Sequence, residues 1–188
     1  MKSQEDTTTV QAGDLHSLAD LLADLTPAAL TADHLDQLEA LERIKAAASA
    51  AQVAVTTAFA DAASAEYVPD SVRRRPPRAM SLGAEVALAT LSSPYAGEQR
   101  LLLSRRLRDD LPLTLAALAR GELTEDRAFA LAREVAHLTP EQRGRVDADL
   151  DGRLVGLGDT QLRQAIRRRV SAAPPSPPRR MPARRRTR

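Results

Sequence analysis

An apolar pattern that continues from residue 33 to residue 66 is the feature that most limits the folds open to this chain. The apolar residues recur every three or four positions, which is the period of an α-helix. They are Leu35, Leu38, Leu41, Ile44, Ala48, Ala51, Val55, Ala58, Phe59 and Ala62. At 1.5 Å per residue, such a helix is roughly 50 Å long. Because this exceeds a small globular core, we expect a spine on which other helices pack, or a dimer surface.

The composition favours an all-α fold. Aromatic residues make up 2% of the chain, whereas β-sandwiches are rich in aromatic and β-branched residues. We therefore predict a multi-helix bundle with one long N-terminal spine helix and a disordered basic C-terminal tail.

Cysteine is absent, which excludes a disulfide framework, a thiolate metal site and a thiol nucleophile. The first methionine is not followed by a basic, apolar signal segment, so we expect a cytoplasmic protein. Residues 46–65 are long enough to cross a bilayer, but they consist largely of Ala, Ser and Thr and carry Gln52 and Asp61. We therefore expect no membrane partner.

Composition shifts divide the chain into five segments. They are a disordered N-terminus (1–13), N-terminal helices including the long helix (14–66), a Pro/Arg-rich linker (67–79), a helical domain (80–170) and a disordered Pro/Arg-rich tail (171–188).

Helix start and stop signals punctuate the helical domain. Ser93 precedes a proline and Thr139 begins a Thr-x-x-Gln capping box, so both should begin helices. Gly121 should end one helix, and Gly156 and Gly158 another. One buried face should consist of Ala128, Leu131, Ala132, Val135 and Leu138.

The formal charge of +2 conceals a strong asymmetry. Residues 1–66 carry 3 basic and 11 acidic side chains, residues 67–162 carry 14 of each, and residues 163–188 carry 10 arginines and no acid. An arginine-rich end binds polyanions without reading sequence. We predict nucleic-acid contacts near the C-terminus from Arg167, Arg168, Arg169, Arg179, Arg180, Arg184, Arg185, Arg186 and Arg188.

Residues 82–108 have the spacing of a helix-turn-helix: a short helix, a Ser-Ser-Pro turn and a longer basic helix. Its candidate phosphate or base contacts are Arg100, Arg105, Arg106 and Arg108. An ordinary pair of antiparallel helices has the same pattern. Both interpretations stay open at this point.

Other chemical motifs are incomplete. Asp147-x-Asp149-x-Asp151-Gly matches the start of a calcium loop, but the required bidentate Glu is replaced by Gly158, so a solvated acidic helix face explains it better. Adjacent Asp109 and Asp110 should point apart at the end of a helix. His16, His34 and His137 have no metal-binding spacing, and His137 suits a helix C-terminus. We predict no catalytic residue, cofactor or metal.

The Leu111-Pro112 dipeptide followed by "LAALARGELT" and "RAFALA", within residues 111–132, resembles the actinobacterial domain of unknown function 222, the 13E12 repeat family. The preceding long helix resembles the family's N-terminal portion. The resemblance implies a helical domain that commonly precedes an HNH endonuclease. No His, Asn or Cys follows Val170, so no HNH residue can be carried over. We expect a truncated relative whose tail is out of frame.

Three functions remain open from the sequence. The first is a non-catalytic domain-222 protein that contacts nucleic acid through the basic tail or the hairpin of residues 82–108. The second is a helical interaction module that forms a homodimer through the long helix. The third is a nuclease that is active only with a separately encoded HNH part.

Overall fold

The computed structural model describes residues 10–65, 81–154 and 156–172, and these residues form eight α-helices and no β-strand. The helices are α1 Ala12–Ala23, α2 Thr31–Ala65, α3 Leu82–Ala89, α4 Pro94–Asp110, α5 Pro112–Ala119, α6 Glu125–Glu134, α7 Pro140–Leu150 and α8 Asp159–Ala172. The predicted all-α class and long helix are confirmed. Among these helices, none is both long enough and apolar enough to cross a membrane.

The chain divides into two compact units, Met1–Ala40 and Leu41–Arg188, and the division falls within α2. The described part of the first, which we call unit 1, contains α1, a connecting segment and the first ten residues of α2. Unit 2 contains the remainder of α2 and the helices α3 to α8. The predicted linker (67–79) and residues 173–188 of the predicted tail lie outside the described residues, whereas residues 171 and 172 belong to α8.

The core of unit 2 forms around α4, which packs against α3, α5, α6 and α7. Each helix from α4 to α8 contributes at least one large side chain that is almost completely buried. These are Leu103 and Leu107 of α4, Leu118 of α5, Leu131 of α6, Leu150 of α7 and Ile166 of α8. The predicted buried face at Ala128, Leu131, Ala132, Val135 and Leu138 is confirmed.

The face of α2 that unit 2 buries is not the face that carries most of the three- and four-residue apolar pattern. The buried residues are Ala46, Ala50, Val53, Thr56, Thr57, Ala60 and Ala63. Ala48, Ala51, Val55 and Ala58, which belong to that apolar pattern, are exposed. The buried positions follow these by two residues, and two residues correspond to about 200° around a helix. Alanine occurs on both sides of this segment, so the apolar spacing did not distinguish a face that packs within unit 2 from a face left free for a dimer.

The α3–α4 hairpin is held by a close approach between two helices. A Cβ atom built at Gly97 would lie 2.6 Å from the Ala87 methyl carbon and 2.7 Å from the Ala87 amide nitrogen. The turn between the helices places Leu91 at φ +50°, with its side chain 97% exposed. The Ser92 and Leu91 amides donate to the Ala87 and Leu88 carbonyls, which is the hydrogen-bond pattern of a Schellman cap.

Most helix boundaries follow the local signals. Ser93 Oγ accepts the Ala96 amide, Thr139 and Gln142 form both bonds of a capping box, and Gly121 terminates α5 at φ +77°. The end of α7 was predicted wrongly. The helix ends at Leu150 rather than at Gly156, because the chain leaves the helix at Asp151 and turns at Gly152, which has φ +66°.

Candidate nucleic-acid interface

The helices predicted as a helix-turn-helix are present, but α4 is largely surrounded by other helices. Its Leu101, Leu103, Ser104 and Leu107 are all buried. A recognition helix must offer a face to a DNA groove. The basic residues of α4 can serve that purpose only if their side chains are available, so the partners of each arginine matter.

The Arg100 side chain extends from α4 and contacts residues of α2 and α6. Its Nη1 is 2.8 Å from Glu125 Oε1 and donates to Gln52 Oε1 at 3.1 Å. Its guanidinium carbon lies 5.6 Å from the centre of the Phe129 ring, within cation–π range. Three groups of the protein thus hold the side chain in place.

Arg106 and Arg143 satisfy the carbonyls at the C-terminal end of α6. Arg106 Nη1 donates to Ala132 O at 2.7 Å, while Arg143 donates to Val135 O and Ala136 O. Burial lowers the pKa of Arg106 and the nearby Arg143 charge lowers it further, whereas Asp110 opposes both. The capping role that the sequence assigned to His137 therefore belongs to these two arginines.

Asp110 completes this cluster. Its Oδ2 accepts a hydrogen bond from Arg143 Nη1 at 2.5 Å, and the two side chains are only 13% and 16% exposed. Asp109 instead bonds Arg108, so the two adjacent carboxylates at the end of α4 serve different partners, as predicted. Their arrangement is structural, because each of the two carboxylates bonds a different arginine.

Arg108 bridges α4 to α2. It is 2.6 Å from Asp109 Oδ1 and 2.5 Å from Asp61 Oδ2, and the hydrogen bonds to these two carboxylates raise its pKa above the ordinary value. Arg105 is half-buried and makes no hydrogen bond or ion pair within the described ranges. Three of the four arginines predicted for the hairpin are therefore committed to intramolecular partners.

The last helix, α8, presents its arginines differently. Leu162 and Ile166 face the core, and Arg163, Arg167 and Arg168 are exposed, while Arg169 is half-buried. Arg167 pairs with Glu134 at 3.2 Å, but both side chains are well exposed, so the pair contributes little stability. Arg163 and Arg167 lie about 40° apart around the helix, and Arg168 lies about 100° beyond Arg167. We call these three exposed residues the α8 arginine face.

The sequence-based list of contacts omitted Arg163. Its four-residue spacing from Arg167, which places both on one side of a helix, is the signal that could have found it. Arg163 also lines a groove of about 420 Å³ between α6 and α8, together with Arg127 and Asp126. The tail candidates Arg179, Arg180, Arg184, Arg185, Arg186 and Arg188 lie outside the described residues.

The remaining motifs have structural roles. Asp147 was assigned to a solvated acidic face, and this is wrong, because its carboxylate is buried and bonds the start of α5. His34 Nε2 lies 2.6 Å from Ala28 O, within unit 1. Within residues 10–65, 81–154 and 156–172, no three His, Asp or Glu side chains form a group that could hold a metal ion.

Comparison of the chain with protein-family models, curated proteins and solved structures returns no match. The resemblance to the domain-222 family therefore stays a prediction based on the residues quoted for it.

Proposed function

We propose that this chain is a cytoplasmic, non-catalytic helical module of the domain-222 type that contacts the phosphate backbone of nucleic acids. The observation that carries the proposal is the α8 arginine face, where three cationic side chains project to solvent from one helix. Arginine bonds phosphate oxygens through a planar fork of donors, and such contacts position a protein without reading sequence. The domain-222 assignment itself depends on the motifs of residues 111–132.

The partners of the α4 arginines favour α8 over the hairpin. Recruiting Arg100, Arg106 or Arg108 to DNA would break ion pairs or leave carbonyls of α6 without a donor. Among the described residues, the α8 arginines are free of that cost, because the ion pair that Arg167 forms with Glu134 is exposed to solvent.

Salt-dependent binding to duplex DNA tests the proposal. Each phosphate contact adds about 0.9 to the slope of log affinity against log salt. Replacing Arg163, Arg167 and Arg168 with Gln should therefore reduce that slope by about 2.7, measured by fluorescence anisotropy between about 50 and 200 mM salt.

The matched control removes three exposed arginines elsewhere in unit 2, through Arg120→Gln, Arg145→Gln and Arg153→Gln. It changes the net charge equally and should reduce the slope much less. If both triple variants lose the same affinity, the α8 face is not the interface. If Arg105→Gln weakens binding and neither triple variant does, the hairpin of residues 82–108 is the interface.

The non-catalytic part of the proposal has a separate test. We expect no nicking of supercoiled plasmid by the purified chain with Mg²⁺ or Mn²⁺. Metal-dependent nicking that persists through purification would favour the third hypothesis, that the helical chain belongs to a nuclease.

A second candidate function is homodimerisation through α2. The face of α2 that unit 2 leaves uncovered is apolar, and Val55 on it is 68% exposed. Its other members are Ala47, Ala51, Ala54, Ala58 and Ala62. Sedimentation over a range of concentrations would detect a dimer, and Val55→Glu should then abolish it. A strict monomer excludes this function.

A further inference from the structure

Most leucine side chains in the described part of unit 1 are exposed to solvent. Helix α1 contains no buried residue, and Leu35 and Leu38 of α2 are 68% and 59% exposed. On α1 and just after it, Leu15, Leu18, Leu21 and Leu25 are also exposed. Leu15, Leu18 and Leu21 share one side of α1, and Leu35 and Leu38 share one side of α2. Exposed apolar patches of this kind mark interaction sites. We call these six residues the unit 1 leucine surface.

The backbone beneath this surface is well held. Gln11 and Asp14 form a capping box at the start of α1. The segment that connects α1 to α2 is fixed by Gln37, whose Oε1 accepts the Ala28 amide at 2.9 Å and whose Nε2 donates to Thr26 O at 3.4 Å. The backbone that carries the leucines is therefore held at the start of α1 and at the connection to α2.

The negative charge of unit 1 favours a positively charged partner. Residues 10–40 contain six carboxylates and no lysine or arginine. Those acids are Asp14, Asp20, Asp24, Asp33, Asp36 and Glu39. Nucleic acids and anionic membranes carry the same sign and are repelled. A second copy of unit 1 would also bring six negative charges against six, so self-association at this surface is disfavoured.

We propose that the unit 1 leucine surface docks a partner protein through a cationic amphipathic helix. The partner's apolar side chains would lie among the exposed leucines, and its Lys or Arg side chains would be attracted by the carboxylates of unit 1. This site is separate from the α8 arginine face, and the two proposals stand or fall independently.

The probe is a synthetic leucine–lysine peptide of about 18 residues, with leucines at three- and four-residue spacing so that it forms an amphipathic helix. A scrambled peptide of the same composition carries the same charge without the apolar face. Fluorescence anisotropy with the full chain should show tight binding of the amphipathic peptide only.

The variant Leu35→Gln with Leu38→Gln should weaken this binding by about tenfold or more. Each leucine side chain that the peptide no longer buries accounts for a large part of a tenfold loss in affinity. The control variant Leu88→Gln with Leu102→Gln replaces two exposed leucines of unit 2 and should change affinity by less than about twofold.

The charge variant Asp36→Asn with Glu39→Gln should weaken binding of the peptide and lower the salt dependence of that binding. Circular dichroism verifies that every variant remains helical, and DNA binding should be unchanged in all.

Several outcomes overturn the proposal. Equal binding of the scrambled peptide would show that charge alone attracts the probe, and no binding of the amphipathic peptide would show that the surface takes no cationic helix. Equal losses of peptide affinity in the unit 1 and unit 2 leucine variants would show that the peptide does not bind specifically at the unit 1 leucine surface. Concentration-dependent self-association that Leu35→Gln with Leu38→Gln abolishes would identify the occupant as a second copy.

Discussion

Asp147 on α7 caps the first turn of α5 through Thr114. Asp147 Oδ1 accepts the Thr114 amide at 3.0 Å and the Thr114 hydroxyl at 2.5 Å, while Oδ2 accepts the Leu113 amide at 2.8 Å. The residue at the N-cap position of α5, Leu111, offers no side-chain acceptor. A carboxylate 33 positions further along the chain therefore supplies the cap.

Removing this carboxylate should cost much of the stability of unit 2. Asp147→Ala leaves two amides and a hydroxyl without their acceptor in a buried site, and we expect a loss of about 3 kcal/mol in the free energy of unfolding. Asp149→Ala, an exposed position on the same helix, should cost less than about 0.5 kcal/mol. Urea denaturation measures both, and similar losses would contradict the capping role.

Gly97 should be sensitive to the addition of a single methyl group. A Cβ there would collide with Ala87 and the Gly83 carbonyl, so Gly97→Ala should destabilise the α3–α4 pair by about 2 kcal/mol. Gly144→Ala is the matched control, because a Cβ there meets nothing within 4 Å. It should instead stabilise α7 by about 0.5 kcal/mol. Thermal unfolding of the two variants should show shifts of opposite sign.

Leu91 should be replaceable by glycine with a gain in stability. The left-handed conformation costs a residue with a Cβ about 1–2 kcal/mol, and glycine avoids this at a smaller entropic cost. We expect Leu91→Gly to raise the free energy of unfolding by about 0.5–1 kcal/mol. Leu91→Ala keeps the Cβ and should give no comparable gain. A loss of stability in Leu91→Gly would show that the exposed leucine side chain has packing partners.

Glu141 should contribute a pH-dependent part of the stability. Hydrogen bonds from its own backbone N–H and from the Thr139 side chain lower the pKa of Glu141 below the ordinary value of 4.5. Its ionised form therefore stabilises the fold above that pH, and the contribution disappears as the pH falls through the lowered pKa. Glu141→Gln should reduce stability at neutral pH and change it little in acid. Denaturation curves at both pH values test this, and an equal effect at both would contradict it.

The sequence by itself determined the parts of this protein that depend on neighbours three to six residues away. Ser93 with its following proline, the Thr139–Gln142 box and the glycine after α5 each form bonds within one turn, so their types and spacing were sufficient. The buried face of α6 was also predictable, because charged residues alternate with apolar ones there and leave a single apolar side.

The tertiary structure decided what depends on distant residues. Alanine occurs on both sides of α2, so only the packing of unit 2 determined which side is buried. Arg100 and Gln52 are separated by 48 positions, Arg108 and Asp61 by 47, and Arg143 and Asp110 by 33. A charge pattern along the sequence cannot distinguish an arginine that holds helices together from one that faces solvent. Only the packing of the helices determines this, because it brings the carboxylates and carbonyls within hydrogen-bond distance and leaves the α8 arginines on the surface.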